Sequence, residues 1–93
     1  MRTTTSIVSF TPAPPLDVAD GLLGWLDLEV AGLVVIHGVA LRRSRRGELA
    51  LSWPAKNDSL GNRRAVVRPL DDRARVAVER QVLRELQLRR IAS

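Results

Sequence analysis

The sequence predicts an α+β domain: a small antiparallel sheet of four to five strands with a C-terminal α-helix packed on or beside it. Three observations lead there. Short apolar segments recur between clusters of turn-forming residues over roughly the first seventy positions. One of them, Leu22 to Val30, alternates in polarity from Trp25 on, as a half-buried strand does. Helical periodicity follows Pro69-Leu70 and runs nearly to the end of the chain. Ninety-three residues make one domain, with no room for a second core, so 1–93 is read as a single unit.

Ser6 to Phe10 is β-prone and stops at Pro12-Ala13-Pro14-Pro15. Prolines cannot donate to a sheet interior, so Thr11 to Asp20 reads as a linker or extended loop, and residues 1–20 as an extended or partly ordered N-terminal segment. In the next segment Trp25, Asp27 and Glu29 point one way and Leu26, Leu28 and Val30 the other. Ala31-Gly32 is a hairpin turn. Leu33 to Arg43 is apolar and β-branched at its start, which marks a central strand, with Gly38 a local weakness or bulge. Ser44 to Gly47 turns the chain and Glu48 to Trp53 returns. Lys56 to Asn62 is dense in turn formers and reads as a loop. Arg63 to Arg68 is a further short strand.

Asp71 is the expected N-cap of the helix, with Asp72 where a helix N-terminus favours negative charge. The helix should run to about Arg90. At 100° per residue, Val76, Val78, Val82, Leu83 and Leu86 gather in an arc of about 160° that should face the sheet. Arg73, Arg80 and Arg84 fall within about 40° of one another on the opposite side.

Composition restricts function. There is no cysteine and one histidine, His37, which excludes disulfides, thiolate metal sites and multi-histidine metal sites. No stretch approaches the ~18 apolar residues a membrane span needs, and the N-terminus lacks an apolar leader, so a cytoplasmic protein without membrane association is expected. Charge is uneven. Residues 1–31 carry one basic and four acidic side chains, whereas residues 32–93 carry fourteen basic and six acidic ones. A basic C-terminal two-thirds suits a polyanion, and nucleic acid is the first partner to consider. No nucleophile–base pairing and no phosphate-cradling glycine motif is present, so neither enzyme activity nor a cofactor is expected.

Taken as an ordered set, Trp53-Pro54-Ala55-Lys56 after a strand, Gly61 in the following loop, Pro69-Leu70 before a helix, and Arg75 to Leu86 as its body resemble the SpoVG family of septation and sporulation regulators. Upstream, Leu26 to Glu29 followed by Leu33-Val34-Val35 is similar to that family's paired strands. The likeness covers about residues 22–88. It implies the same α+β fold, a homodimer formed through the sheet, and sequence-influenced binding of DNA or RNA in gene regulation without enzymatic activity. By position, Lys56 matches the family's basic residue after the Pro-Ala turn, and Arg75 one in the first turns of the helix. The chain departs from the family in its uncharged first strand, in the basic turn Arg42 to Arg46, and in Arg68, where the family has histidine.

Three groups of cations are candidate nucleic-acid contacts. Arg42, Arg43, Arg45 and Arg46 crowd one hairpin turn, where phosphate oxygens would relieve their repulsion; a solvated turn is the alternative. Lys56, Arg63 and Arg64 bracket the polar loop and could reach a groove or a backbone; an ordinary polar hairpin is the alternative. Arg73, Arg80 and Arg84 form a helix face that is either a binding stripe or simply wet, and the resemblance adds Arg75 in the first turns of the same helix. Trp53 reads as core rather than as a stacking platform, and His37 as structural. A protein-interaction module docking an acidic partner is the rival reading of the same charge.

Overall fold

The computed structural model describes residues 4–89, with side chains to residue 87. The elements are β1 (Thr5–Pro12), α1 (Pro15–Ala19), β2 (Leu22–Val30), β3 (Val34–Arg43), β4 (Leu49–Ser52), β5 (Ala55–Asn57), β6 (Arg63–Ala65) and α2 (Asp72–Arg89). Strands β1 to β4 form an antiparallel meander in chain order, and β5 and β6 form a separate two-stranded ribbon. The architecture is α+β, as expected. The sequence reading differs in that β6 does not join the main sheet.

Polarity decides which face of the sheet is covered. Leu26 and Leu28 on β2 are fully buried, and their cross-strand partners extend one apolar surface. Phe10, Leu26 and Val39 form one row of it, and Ile7, Leu28 and Ile36 another. Helix α2 covers this surface with Val82 and Leu86 buried and with Val78 and Leu83 against the core. Val76 departs from the expected arc. It stands 120° around the helix from Val82, roughly by the 100° step, and lies on the outward flank beside Arg73 and Arg80. Asp71 caps the helix as expected: its carboxylate accepts from the Ala74 N–H at 2.8 Å. The expected end at Arg90 lies outside the described residues.

Polar side chains of α2 also close both edges of the sheet. On β1, the Thr5 N–H donates to Gln81 Oε1 at 2.8 Å and the Ile7 N–H to Glu85 Oε1 at 3.1 Å. On β4, the Leu51 N–H donates to Glu79 Oε2 at 3.3 Å. A four-stranded sheet is about 14 Å wide, and six helical residues advance about 9 Å. The helix therefore lies obliquely, with its two polar flanks reaching opposite edges. Such contacts satisfy outward N–H groups that would otherwise pair with another chain.

The N-terminal segment holds a strand end and a short helix where a linker or extended loop is expected. Pro12 pairs with Gly24 at the end of an edge strand, where a missing N–H breaks no ladder bond. Pro15 opens the five-residue α1, where the first N–H has no helical partner in any case. The prolines thus delimit two elements instead of preventing them. Residues 1–3 lie outside the described residues.

The β2–β3 turn forms at Ala31-Gly32, with both residues left-handed (φ 57° and 68°) and the Leu33 N–H donating to the Val30 carbonyl at 3.0 Å. This is the primed turn that matches strand twist, but alanine is strained in it. Ala31→Gly should raise stability by about 0.5–1 kcal/mol, the relief of strain exceeding the added freedom of the unfolded chain. Urea unfolding would measure it; an unchanged midpoint would contradict a strained Ala31.

The strands of β3 and β4 are unequal. β4 pairs only with Ala40 to Arg43, so among the described residues Val34 to Val39 has β2 on one side and no strand on the other. Leu33, Val34 and Val35 along this open stretch are exposed.

Candidate nucleic-acid interface

Two hairpins carry most of the candidate cations, and their turns are built alike: Arg42 and Arg43 end β3, Arg45 and Arg46 lie in the first turn, and Lys56, Arg63 and Arg64 lie on the strands of the ribbon. In Ser44-Arg45-Arg46-Gly47-Glu48, the Ser44 Oγ accepts from the Arg46 and Glu48 N–H groups at 3.2 and 3.1 Å. The Gly47 N–H donates to the Ser44 carbonyl at 2.9 Å, and Gly47 is left-handed at φ 83°. In Asp58-Ser59-Leu60-Gly61-Asn62, the Asp58 Oδ1 accepts from the Leu60 and Asn62 N–H groups, both at 2.9 Å. The Gly61 N–H donates to the Asp58 carbonyl at 3.0 Å, with Gly61 at φ 82°. Each is a four-residue turn closed by a glycine bulge and pinned by its first side chain. A Ser or Asp three residues before Gly was the sequence signal for this rigidity.

The first turn places Arg45 and Arg46 at its two central positions. Both are exposed and neither has a partner among the described residues. Arg42 lies on the sheet face away from α2, where its Nε donates to Ser52 Oγ at 3.1 Å. Arg43 is half-buried and, with Ser44, Arg45, Asp20, Gly21 and Leu23, borders a cavity of about 270 Å³. Its N–H donates to the Gly21 carbonyl at 2.7 Å, tying the turn to the start of β2.

The second turn tips the β5–β6 ribbon. Its register sets Lys56 opposite Arg64 on one face and Asn57 opposite Arg63 on the other. Among the described residues no other strand or helix packs on the ribbon; the Val66 N–H fixes its base by donating to the Pro54 carbonyl at 3.0 Å. Like charges directly across a ladder repel. Asp58 answers part of that repulsion through its Oδ2, 2.9 Å from Arg64 Nε. The Arg64 guanidinium, then the Asn62 and Leu60 N–H groups, hold the Asp58 carboxyl below the ordinary carboxylate range. Lys56, Asn57 and Arg63 are exposed and have no partner among the described residues.

The helix cations separate into two kinds. Arg75 is engaged by Asp72 at 2.8 Å and Glu79 at 2.7 Å, which raise its pKa, Asp72 most. Glu79 in turn holds Leu51, so Arg75 belongs to the fastening of α2 on β4 and not to a free cationic surface. Arg73 and Arg80 face solvent together beside Val76 and Ala77. Arg84 borders a separate depression with Thr4 and Ser6 at the start of β1. This stripe points away from the sheet on the α2 side, while Arg42 points away on the other. These are opposite faces of the sheet, so one straight duplex does not lie against both.

The structure thus groups the candidates by element rather than in one patch. The arginine hairpin and the ribbon flank the two ends of β4, whose four residues span about 13 Å. The helix stripe lies elsewhere. Trp53 packs against the core, and its Nε1 is buried without a partner among the described residues, so its ring is not a stacking surface. His37 is an exposed surface residue, not a core one. Its Nδ1 lies 3.2 Å from Asp27 Oδ2, which also accepts from Ser9 Oγ at 3.0 Å. The His37 and Ser9 hydrogen bonds, followed by the Gly38 N–H, lower the Asp27 pKa. Gly38 is left-handed at φ 76° and sits in the expected bulge. Serine here donates to the carboxylate and not to the imidazole, which is a bulge-stabilising cluster and not a nucleophile with its base.

Among the described residues no group of three or more His, Asp or Glu side chains could hold a metal ion, and no helix is long and apolar enough to cross a membrane. These features define a class, a four-stranded meander closed by one helix and carrying a basic ribbon. No family model matches the chain. No curated protein and no solved structure matches it either.

Proposed function

We propose that this protein binds nucleic acid, holding phosphates with the Arg42, Arg43, Arg45 and Arg46 turn and with the Lys56–Arg64 face of the ribbon. The observation that carries the reading is the pairing of Lys56 with Arg64 across a ladder that no other element covers among the described residues. A like-charge pair costs stability; Asp58 offsets it at Arg64, while Lys56 has no counter-charge among the described residues, and a phosphate would supply one. The resemblance to SpoVG regulators points the same way, toward a non-enzymatic role in gene regulation. Arg73, Arg80 and Arg84 are secondary in this reading, because they face away from Arg42, and Arg75 is structural.

A homodimer through the sheet fits the open stretch Val34 to Val39, which begins with the apolar, β-branched Val34-Val35-Ile36, while the N–H groups of Thr5, Ile7 and Leu51 on the outer strands are covered by α2. Pairing with the same stretch of a second copy would present two ribbons to one duplex. Val35→Lys should then convert a dimer to a monomer in sedimentation; a monomeric unsubstituted protein would rule this interface out.

A gel shift with mixed DNA and RNA pools near physiological salt tests the main reading. A shifted band is expected. Its absence would favour the rival, in which the same cations steer an acidic protein partner.

A further inference from the structure

The two faces of the β5–β6 ribbon differ in chemistry, and the difference assigns them different tasks. Lys56 and Arg64 on one face are point and planar cations suited to phosphate. On the other, Asn57 and Arg63 stand directly across from each other, both exposed and without partners among the described residues. Asparagine is the side chain that pairs two ways with the adenine edge, and arginine the one that pairs two ways with guanine O6 and N7. Leu60 at the tip is 83% exposed, the apolar kind of group that meets a thymine methyl.

Dimensions select the groove. Three paired residues per strand reach about 10 Å, against a B-DNA major groove about 12 Å wide and 8.5 Å deep that admits a two-stranded ribbon. The major groove of A-form RNA is too narrow for side chains to read. The ribbon also meets the requirement of rigidity, since Asp58 pins both the tip N–H groups and Arg64.

Resting on the nucleic-acid reading above, we infer that the β5–β6 ribbon enters the major groove of duplex DNA, with Asn57 and Arg63 turned to base edges and Lys56 and Arg64 to the phosphates. The partner is B-form DNA, and its preferred site should contain an adenine and a guanine at neighbouring steps.

Selection from random duplexes with the full chain, followed by anisotropy titration, tests this. Arg63→Ala should weaken the selected site about ten-fold or more while changing random duplex less than two-fold. Replacing guanine by 7-deazaguanine in the selected site removes the N7 acceptor only from the major groove. It should weaken the unsubstituted protein and leave Arg63→Ala indifferent. Lys56→Ala should weaken all duplexes alike. The inference is overturned if Arg63→Ala weakens selected and random duplexes equally, if 7-deazaguanine has no effect, or if duplex RNA binds as tightly as DNA; nucleic-acid binding itself would stand in each of these cases. Failure to bind any DNA or RNA would instead remove the reading on which the inference rests.

Discussion

Removing all four arginines of the β3–β4 hairpin together with Lys56, Arg63 and Arg64 should reduce affinity for a random duplex by at least a hundred-fold near physiological salt. Six of these cations, all but Arg63, are withdrawn from phosphates; each forfeits the release of condensed counterions, and the effects accumulate because the six act at separate phosphates. The turn and the ribbon flank β4, so either group alone should leave partial binding. Replacing Arg42, Arg43, Arg45 and Arg46 with alanine should weaken all sequences alike, because a turn at that distance from the ribbon touches backbone only. Replacing Arg73, Arg80 and Arg84 should change affinity by less than three-fold, since that stripe faces away from Arg42. None of these variants touches the buried core. The substituted side chains are exposed or half-buried, and each turn keeps its Ser44 or Asp58 anchor and its glycine. Unchanged binding by the seven-residue variant, with native circular dichroism, would remove both elements from the interface.

Leu26→Ala should cost about 3–4 kcal/mol of stability. Leu26 is fully buried at the centre of the sheet, between Phe10 and Val39 across the ladder. Truncation removes apolar burial and leaves a cavity that strands on both sides prevent from collapsing. A domain of this size has only about 5–10 kcal/mol in total, and each kcal/mol moves Tm by about 4–8 °C. A fall of roughly 15–25 °C in thermal unfolding is therefore expected. Leu60→Ala, at the solvent-exposed ribbon tip, should move it by no more than a few degrees. A small shift for Leu26→Ala would mean that α2 does not sit where the buried Val82 and Leu86 place it.

The legible parts of this fold were those fixed by local chemistry. Alternation in β2 predicted that Leu26 and Leu28 are covered and that Asp27 and Glu29 face away. Asp71 was identifiable as a cap because only a short acceptor before a helical run satisfies the first N–H groups. The Ala31-Gly32 turn and the bulge at Gly38 were read from glycine's tolerance of left-handed backbone. The proline cluster misled because proline forbids less than it suggests: at a strand end or a first helical turn its missing N–H is no loss. The separate ribbon was not legible, since periodicity marks a strand without stating its partner. Closure of the sheet edges by Glu79, Gln81 and Glu85 depends on contacts between residues 28 to 78 positions apart.

The site was legible in part. The sequence located the cations but not their grouping. Engagement of Arg75 could have been foreseen, because Asp72 and Glu79 stand three and four positions away, the spacing at which helical side chains meet. Asn57 carried no charge and so attracted no notice; only the register of the ribbon sets it beside Arg63.

Whether the turn and the ribbon hold phosphates is decided most sharply by the salt dependence of binding to a random DNA duplex, measured by anisotropy between about 50 and 200 mM monovalent salt, the range over which counterion release reads strongly. Four to six phosphate contacts predict a log–log slope of roughly −4 to −5, falling toward zero in the seven-residue turn-and-ribbon variant. A flat response in the unsubstituted protein, or an identical slope in the variant, would contradict phosphate binding by these two elements.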